Sequence, residues 1–263
     1  MMKKLKDEAN RGNSLNILPI KSTEMNDPIT KRIFNKKIKS RVKNEPESLV
    51  YYLLKYKFFD IFTEKEILKL KIRVLNLSNL GDRQETIIPF IIYIKNLQIL
   101  DLSWNKFITF PDSIRTISSL KELSLAHNQL DNFPKSICNL TSLQILDLRG
   151  NNLTSLPNSI KDLSSLKILW LQENRLSKLP ESIADLKSLR LLDISYNNLN
   201  QLPDSIKNLT SLKILILGKN PIYEKPDLKM KSIMEELMEK DVQIFRSLNL
   251  KKQRVRSSPT LMS

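Results

Sequence analysis

The chain has 263 residues, 41% of them hydrophobic, enough to bury one substantial core. Its 4 glycines lie far apart, at Gly12, Gly81, Gly150 and Gly218, and form no G-x-x-x-x-G-K or G-x-G-x-x-G, which excludes phosphate loops of those kinds. One cysteine (Cys138) and one histidine (His127) exclude an intramolecular disulfide and supply no Cys/His zinc set, so no metal and no cofactor is expected.

The net charge of +15 is concentrated at the start. Residues 1–44 carry 12 basic and 4 acidic side chains, whereas residues 97–220 carry 14 and 11. Segment 1–44 therefore reads as a basic, largely flexible arm, with Lys31, Arg32, Lys36, Lys37, Lys39, Arg41 and Lys43 clustered in it. Its first 19 residues hold no apolar run of signal-peptide length, which favours the cytoplasm over export. The longest apolar run, Ile87 to Ile94, is far short of the ~20 residues that cross a bilayer. Residues 45–71, with Pro46 suited to a first helical turn and Leu49, Tyr52, Leu53, Phe59 and Phe62 behind it, read as a helical amino-terminal cap.

From residue 72 the chain repeats itself. An irregular first unit (Ile72, Leu75, Leu77) has Leu80 where later units have asparagine, and Leu97 follows Ile72 by 25 residues. Thereafter every column recurs at 23. Leu97, Leu120, Leu143, Leu166, Leu189 and Leu212 form one. Leu100, Leu123, Leu146, Leu169, Leu192 and Leu215 form another, and Leu102, Leu125, Leu148, Leu171, Ile194 and Leu217 a third. An asparagine column follows at Asn105, Asn128, Asn151, Asn174, Asn197 and Asn220, and prolines stand at Pro111, Pro134, Pro157, Pro180 and Pro203. In x-L-x-L-x the period of two sends one set of side chains to a core and the other to a surface. The asparagine stands where the chain leaves the strand, able to serve backbone groups that would otherwise be buried unpaired. Proline then fixes φ at the start of the return segment, and I-x-x-L places two apolar residues on one face of a short helical turn.

The pattern L-x-x-L-x-L-x-x-N-x-L-x-x-L-P-x-x-I-x-x-L resembles the 23-residue class of the leucine-rich-repeat family, as in stand-alone bacterial members, over residues 72–222. The resemblance implies an α/β solenoid: a curved horseshoe with a parallel β-sheet on its concave face and short helical or 3-10 segments on its convex face. Such a stack needs closed ends. Within residues 223–250, the run Lys231 to Leu248 carries Ile233, Met234, Leu237, Met238 and Phe245 at helical spacing and reads as a carboxy-terminal capping helix. The polar, basic tail 251–263 is expected to be disordered.

Framework columns are explained by folding, so function is sought at the variable strand positions. Ile145, Ile168 and Leu191 form an apolar row, Trp170 stands near its centre, Trp104 and Tyr196 at strand exits, and Arg149 and Glu173 close by. That composition resembles a protein-binding hot spot. The reading is a non-catalytic scaffold that binds a partner protein on the concave face, with a host-interaction role suggested by analogy to bacterial relatives; nucleic acid is not the expected partner. The alternative is polyanion binding through the basic arm. Asp101, Asp147 and Asp193 share one column, but no catalytic set forms around them or around His127, so no enzyme is expected.

Overall fold

The computed structural model describes residues 72–80, 91 and 94–246. The arm 1–44, the expected amino-terminal cap 45–71 and the tail 251–263 lie outside the described residues.

Each repeat contributes one strand of three residues: β1 Val74–Asn76, β2 Ile99–Asp101, β3 Glu122–Ser124, β4 Ile145–Asp147, β5 Ile168–Trp170, β6 Leu191–Asp193 and β7 Ile214–Ile216. An eighth strand, β8 Gln243–Phe245, follows, and all eight pair in parallel and in sequence order as one open sheet. The register is set by the repeat itself. The central leucines Leu75, Leu100, Leu123, Leu146, Leu169, Leu192 and Leu215 oppose one another and are each at most 1% exposed. A slip by one residue would turn this column out of the core, so the apolar pattern fixes the pairing. The irregular first unit keeps register too: Val74 pairs with Ile99, and its two extra residues are accommodated after β1.

On the opposite side, the return segments after β2 to β6 each form a five-residue 3-10 helix: η1 Asp112–Thr116, η2 Lys135–Asn139, η3 Asn158–Asp162, η4 Glu181–Asp185 and η5 Asp204–Asn208. Each is preceded by the column proline, whose φ lies between −64° and −75°, the value its ring imposes. Three residues per turn returns the helix isoleucine to the core, and Ile114, Ile137, Ile160, Ile183 and Ile206 are fully buried. At the amino-terminal side of the stack the aromatic pair Phe107 and Phe110 packs edge to face, 5.7 Å between ring centroids.

The carboxy-terminal end departs from the expected single helix. After α1 Pro221–Glu224, helix α2 runs only Leu228–Glu239, its first turn capped by Asp227, whose carboxylate accepts from Met230 N–H at 2.7 Å. Met230, Ile233 and Leu237 turn inward, while Met238, one of the five apolar residues that suggested a longer helix, is 52% exposed. Asp241 then adopts φ 64°, ending the helical path, and Val242 is buried as the chain re-enters the sheet through β8. Ion pairs Lys207–Glu236 (3.0 Å) and Lys229–Asp204 (2.9 Å) join α2 to η5. Gly218 makes the last strand possible, because a Cβ there would sit 1.9 Å from the Arg246 carbonyl oxygen.

Candidate functional site

The asparagine column forms a buried ladder, each member 1–8% exposed. Asn151 shows the pattern. Its Nδ2 donates to Leu125 O (2.9 Å), Leu148 O (3.0 Å) and Arg149 O (3.3 Å), and its Oδ1 accepts from Leu130 N–H (3.0 Å). Asn128, Asn174 and Asn197 repeat this set, and Asn220 keeps it without the third donation. Asn105 meets the irregular first unit, and its Oδ1 accepts directly from Leu80 N–H at 2.8 Å. These side chains hold the exits of the strands in place and leave the sheet face to the variable residues.

On that face, Ile145, Ile168 and Leu191 stand opposite one another in register and are half-buried. The next column, Asn76, Asp101, Ser124, Asp147, Trp170, Asp193 and Ile216, is also in register. Its acids have a folding role. In Asp101, Asp147 and Asp193 one carboxylate oxygen accepts the N–H two residues on, at 2.9, 3.1 and 3.0 Å, a local turn that Asn76 makes as well.

At the centre the predicted Arg149 and Trp170 come together. The guanidinium Nε lies 2.9 Å from both carboxylate oxygens of Asp147 and Nη2 lies 2.7 Å from one, while its carbon stands 4.8 Å from the Trp170 ring centroid. A two-pronged ion pair and an aromatic face thus hold one cation in a fixed plane, with less freedom than a surface arginine has alone. Asp193 flanks Trp170 on the other side. Burial pushes its carboxyl up from the usual range, opposed by hydrogen bonds from Ser195 Oγ and N–H and by the charge of Arg149. Its contribution to stability is complete below the unfolded value near 3.8 and is lost as pH rises through the higher folded value. Asp193→Asn, which preserves both acceptances at Oδ1, is therefore expected to be more stable than the parent at neutral pH. Urea unfolding should show that advantage vanish below the unfolded value.

Trp104, Glu173 and Tyr196 share the last column of the face with His127, Gly150 and Lys219, and all six have φ between 53° and 64°. For side chains with a Cβ this left-handed conformation costs about 1 kcal/mol each. It is held by the N–H groups of Trp104, His127, Gly150, Glu173 and Tyr196, as in Trp104 to Ala126 O (2.8 Å) and Tyr196 to Gly218 O (2.8 Å). Trp104 is 61% and Tyr196 48% exposed. Trp104 stacks on His127 at 3.9 Å between centroids, and a Cβ on Gly150 would come within 2.5 Å of the His127 ring, so the glycine makes room for the stack. Trp104 stands three repeats from Trp170, roughly 14 Å at ~4.8 Å per strand, so the two tryptophans form separate anchors. The sequence reading weighed His127, Asp147 and Asp193 only as catalytic candidates and set them aside, and it gave Ser195 no role. The one signal for the stack is that Gly150 is the only glycine of its column.

Among the described residues no helix is long and apolar enough to cross a membrane, and no group of three or more His, Cys, Asp or Glu side chains could hold a metal ion.

Comparison with known proteins agrees with this geometry. The family model described as leucine-rich repeat region matches residues 69–171 and 159–252. A leucine-rich-repeat protein of Leptospira interrogans is similar at 33% identity and a TM-score of 0.58, over 68% of this chain and 50% of that one. An internalin of Listeria monocytogenes is similar in fold at 20% identity and a TM-score of 0.53, over 67% of this chain and 54% of that one. A chain of the PEPR1–AtPEP1 structure is 34% identical with a TM-score of 0.50, over 57% of this chain and 22% of its own length. The chain thus spans about half the length, or less, of these solved structures. The search of curated proteins gave no match.

Proposed function

The chain belongs to the leucine-rich-repeat family, and on that footing we propose that it is a non-catalytic scaffold which binds a partner protein on the concave, sheet-bearing face of its solenoid. The family fold is a protein-interaction scaffold in general; the particular face and partner are the proposal. The observation that carries it is the centre of the sheet: Arg149, locked by Asp147 and stacked on Trp170, within a row of half-exposed apolar side chains. Pre-ordered arginine and tryptophan lose little freedom on contact, which is what binding hot spots have in common. Tyr196 and Trp104 supply exposed aromatic surface at the rim, and Glu173 a charge for orientation. The similarity to Leptospira and Listeria proteins suggests a bacterial chain whose partner belongs to a host.

Trp170→Ala and Tyr196→Ala are each expected to weaken capture of the partner by at least about tenfold, with unfolding midpoints close to the parent's. Affinity capture from host and bacterial lysates, followed by titration of the captured protein, measures this. Undiminished capture by both variants would overturn the proposal.

A further inference from the structure

A second row of side chains, distinct from the sheet face, opens the strands: Gln98, Lys121, Gln144, Lys167, Arg190 and Lys213. The backbone fixes their spacing. The carbonyl of each of the first five accepts two N–H groups of the next repeat, as Lys121 O does from Gln144 (2.7 Å) and Ile145 (3.0 Å) and Arg190 O from Lys213 (2.8 Å) and Ile214 (3.0 Å). One side chain per repeat therefore projects at ~4.8 Å intervals, and Lys121 to Lys213 spans roughly 19 Å. The two positions before the first leucine of each repeat add Lys95 and Lys187 and otherwise hold only serine, threonine or asparagine from residue 95 to 211.

This strip carries no carboxylate of its own; Glu122 borders it on the sheet side, and Asp241 lines a hollow with Lys213 at its carboxy-terminal end. Elsewhere in the described residues Arg149, Lys207, Lys229 and Arg246 each find an acidic partner. In the strip, Lys167 Nζ rests on the neutral Gln144 Oε1 (3.0 Å) and Lys187 Nζ on the Asn208 carbonyl (3.1 Å). Lys121, Arg190 and Lys213 are exposed and make no ion pair among the described residues. Like charges held this close are unfavourable unless an anion lies across them.

We propose that this edge of the solenoid binds a linear sulfated polysaccharide. Lys167, Arg190 and Lys213 at single-repeat intervals, with Lys121 two repeats before them, meet its sulfates, and the hydroxyls and amides between them can donate and accept with sugar hydroxyls. The strip has no aromatic side chain on which bases would stack, which disfavours single-stranded nucleic acid. It also has no exposed apolar side chain to bury in a bilayer.

The test titrates the full chain with a fluorescent heparin-derived octasaccharide at moderate salt. The triple variant Lys167→Gln, Arg190→Gln, Lys213→Gln should bind roughly tenfold more weakly. A control triple, Lys135→Gln, Lys161→Gln, Lys178→Gln, removes the same charge from the 3-10 side and should stay within about twofold. Equal losses in the two triples, or no loss in the first, would overturn the proposal. So would an equal loss towards single-stranded DNA or anionic phospholipid vesicles, which would make the strip a general phosphate-binding surface. Arg190→Gln alone, expected to weaken binding by about twofold to threefold, replaces the triple if that variant unfolds differently from the parent.

Discussion

Replacing Asn151 with alanine is expected to destabilise the solenoid by about 2 kcal/mol. The substitution removes no apolar contact of note, yet it strands the Leu130 N–H in a buried turn, while the Leu125 and Leu148 carbonyls are left with Asn128 and Asn174 as their remaining side-chain donors. One abandoned buried donor costs about 1–3 kcal/mol, and the loss stays inside that range because both carbonyls keep a donor. Asn151→Asp should be at least as damaging, since it preserves one acceptor, loses both donors and buries a charge. Urea unfolding followed by circular dichroism measures both. A loss below about 1 kcal/mol for alanine would show that the turn finds other partners.

Gly218→Ala is expected to break the last strand pairing rather than soften the whole stack. The new methyl group would meet the Arg246 carbonyl oxygen at 1.9 Å and its carbonyl carbon at 2.6 Å, and backbone cannot swing aside as a side chain can. The chain beyond Phe245 must lift, which opens the hydrogen bond from Leu217 N–H to Phe245 O (3.0 Å). Overpacking of this kind costs about 1–3 kcal/mol, and here a movable edge strand absorbs it. Hydrogen exchange should accelerate at Leu217 and at Gln243, whose N–H donates to Lys213 O, and stay unchanged at Leu171 and Leu148. Unaltered protection at Leu217 would mean that Arg246 yields without the strand.

The repeated columns made the sheet, its register and the 3-10 segments readable, because the same position must solve the same packing problem every 23 residues. β8 was not readable for the opposite reason. It occurs once, its three residues are too few to show alternation, and Phe245 falls on a helical spacing from Leu237 and Met238 that stops at Glu239 in the structure. In the site, Arg149 and Trp170 were visible as unusual residues in variable columns. Their union was not, since it depends on a cation reaching from one repeat to the ring of the next. The His127 stack was further hidden: it needs a left-handed backbone at three successive exits and a missing side chain at the third. The buried Asp193 looked like ordinary variation because its partner, Ser195, also stands in a variable column.

The asparagine ladder has a direction. Asn128, Asn151, Asn174, Asn197 and Asn220 each bind backbone of their own repeat and of the one before, and none reaches forward. Removing a repeat from the carboxy-terminal side therefore leaves a buried N–H of its predecessor without its acceptor, whereas removing one from the amino-terminal side takes some clients from an asparagine that keeps those of its own repeat. In a stack whose stability is a sum over neighbours, this makes the two ends unequal. Erosion from the carboxy-terminal side advances like a zip, with each lost tooth loosening the next. α2 and β8 stand at that end as the lock.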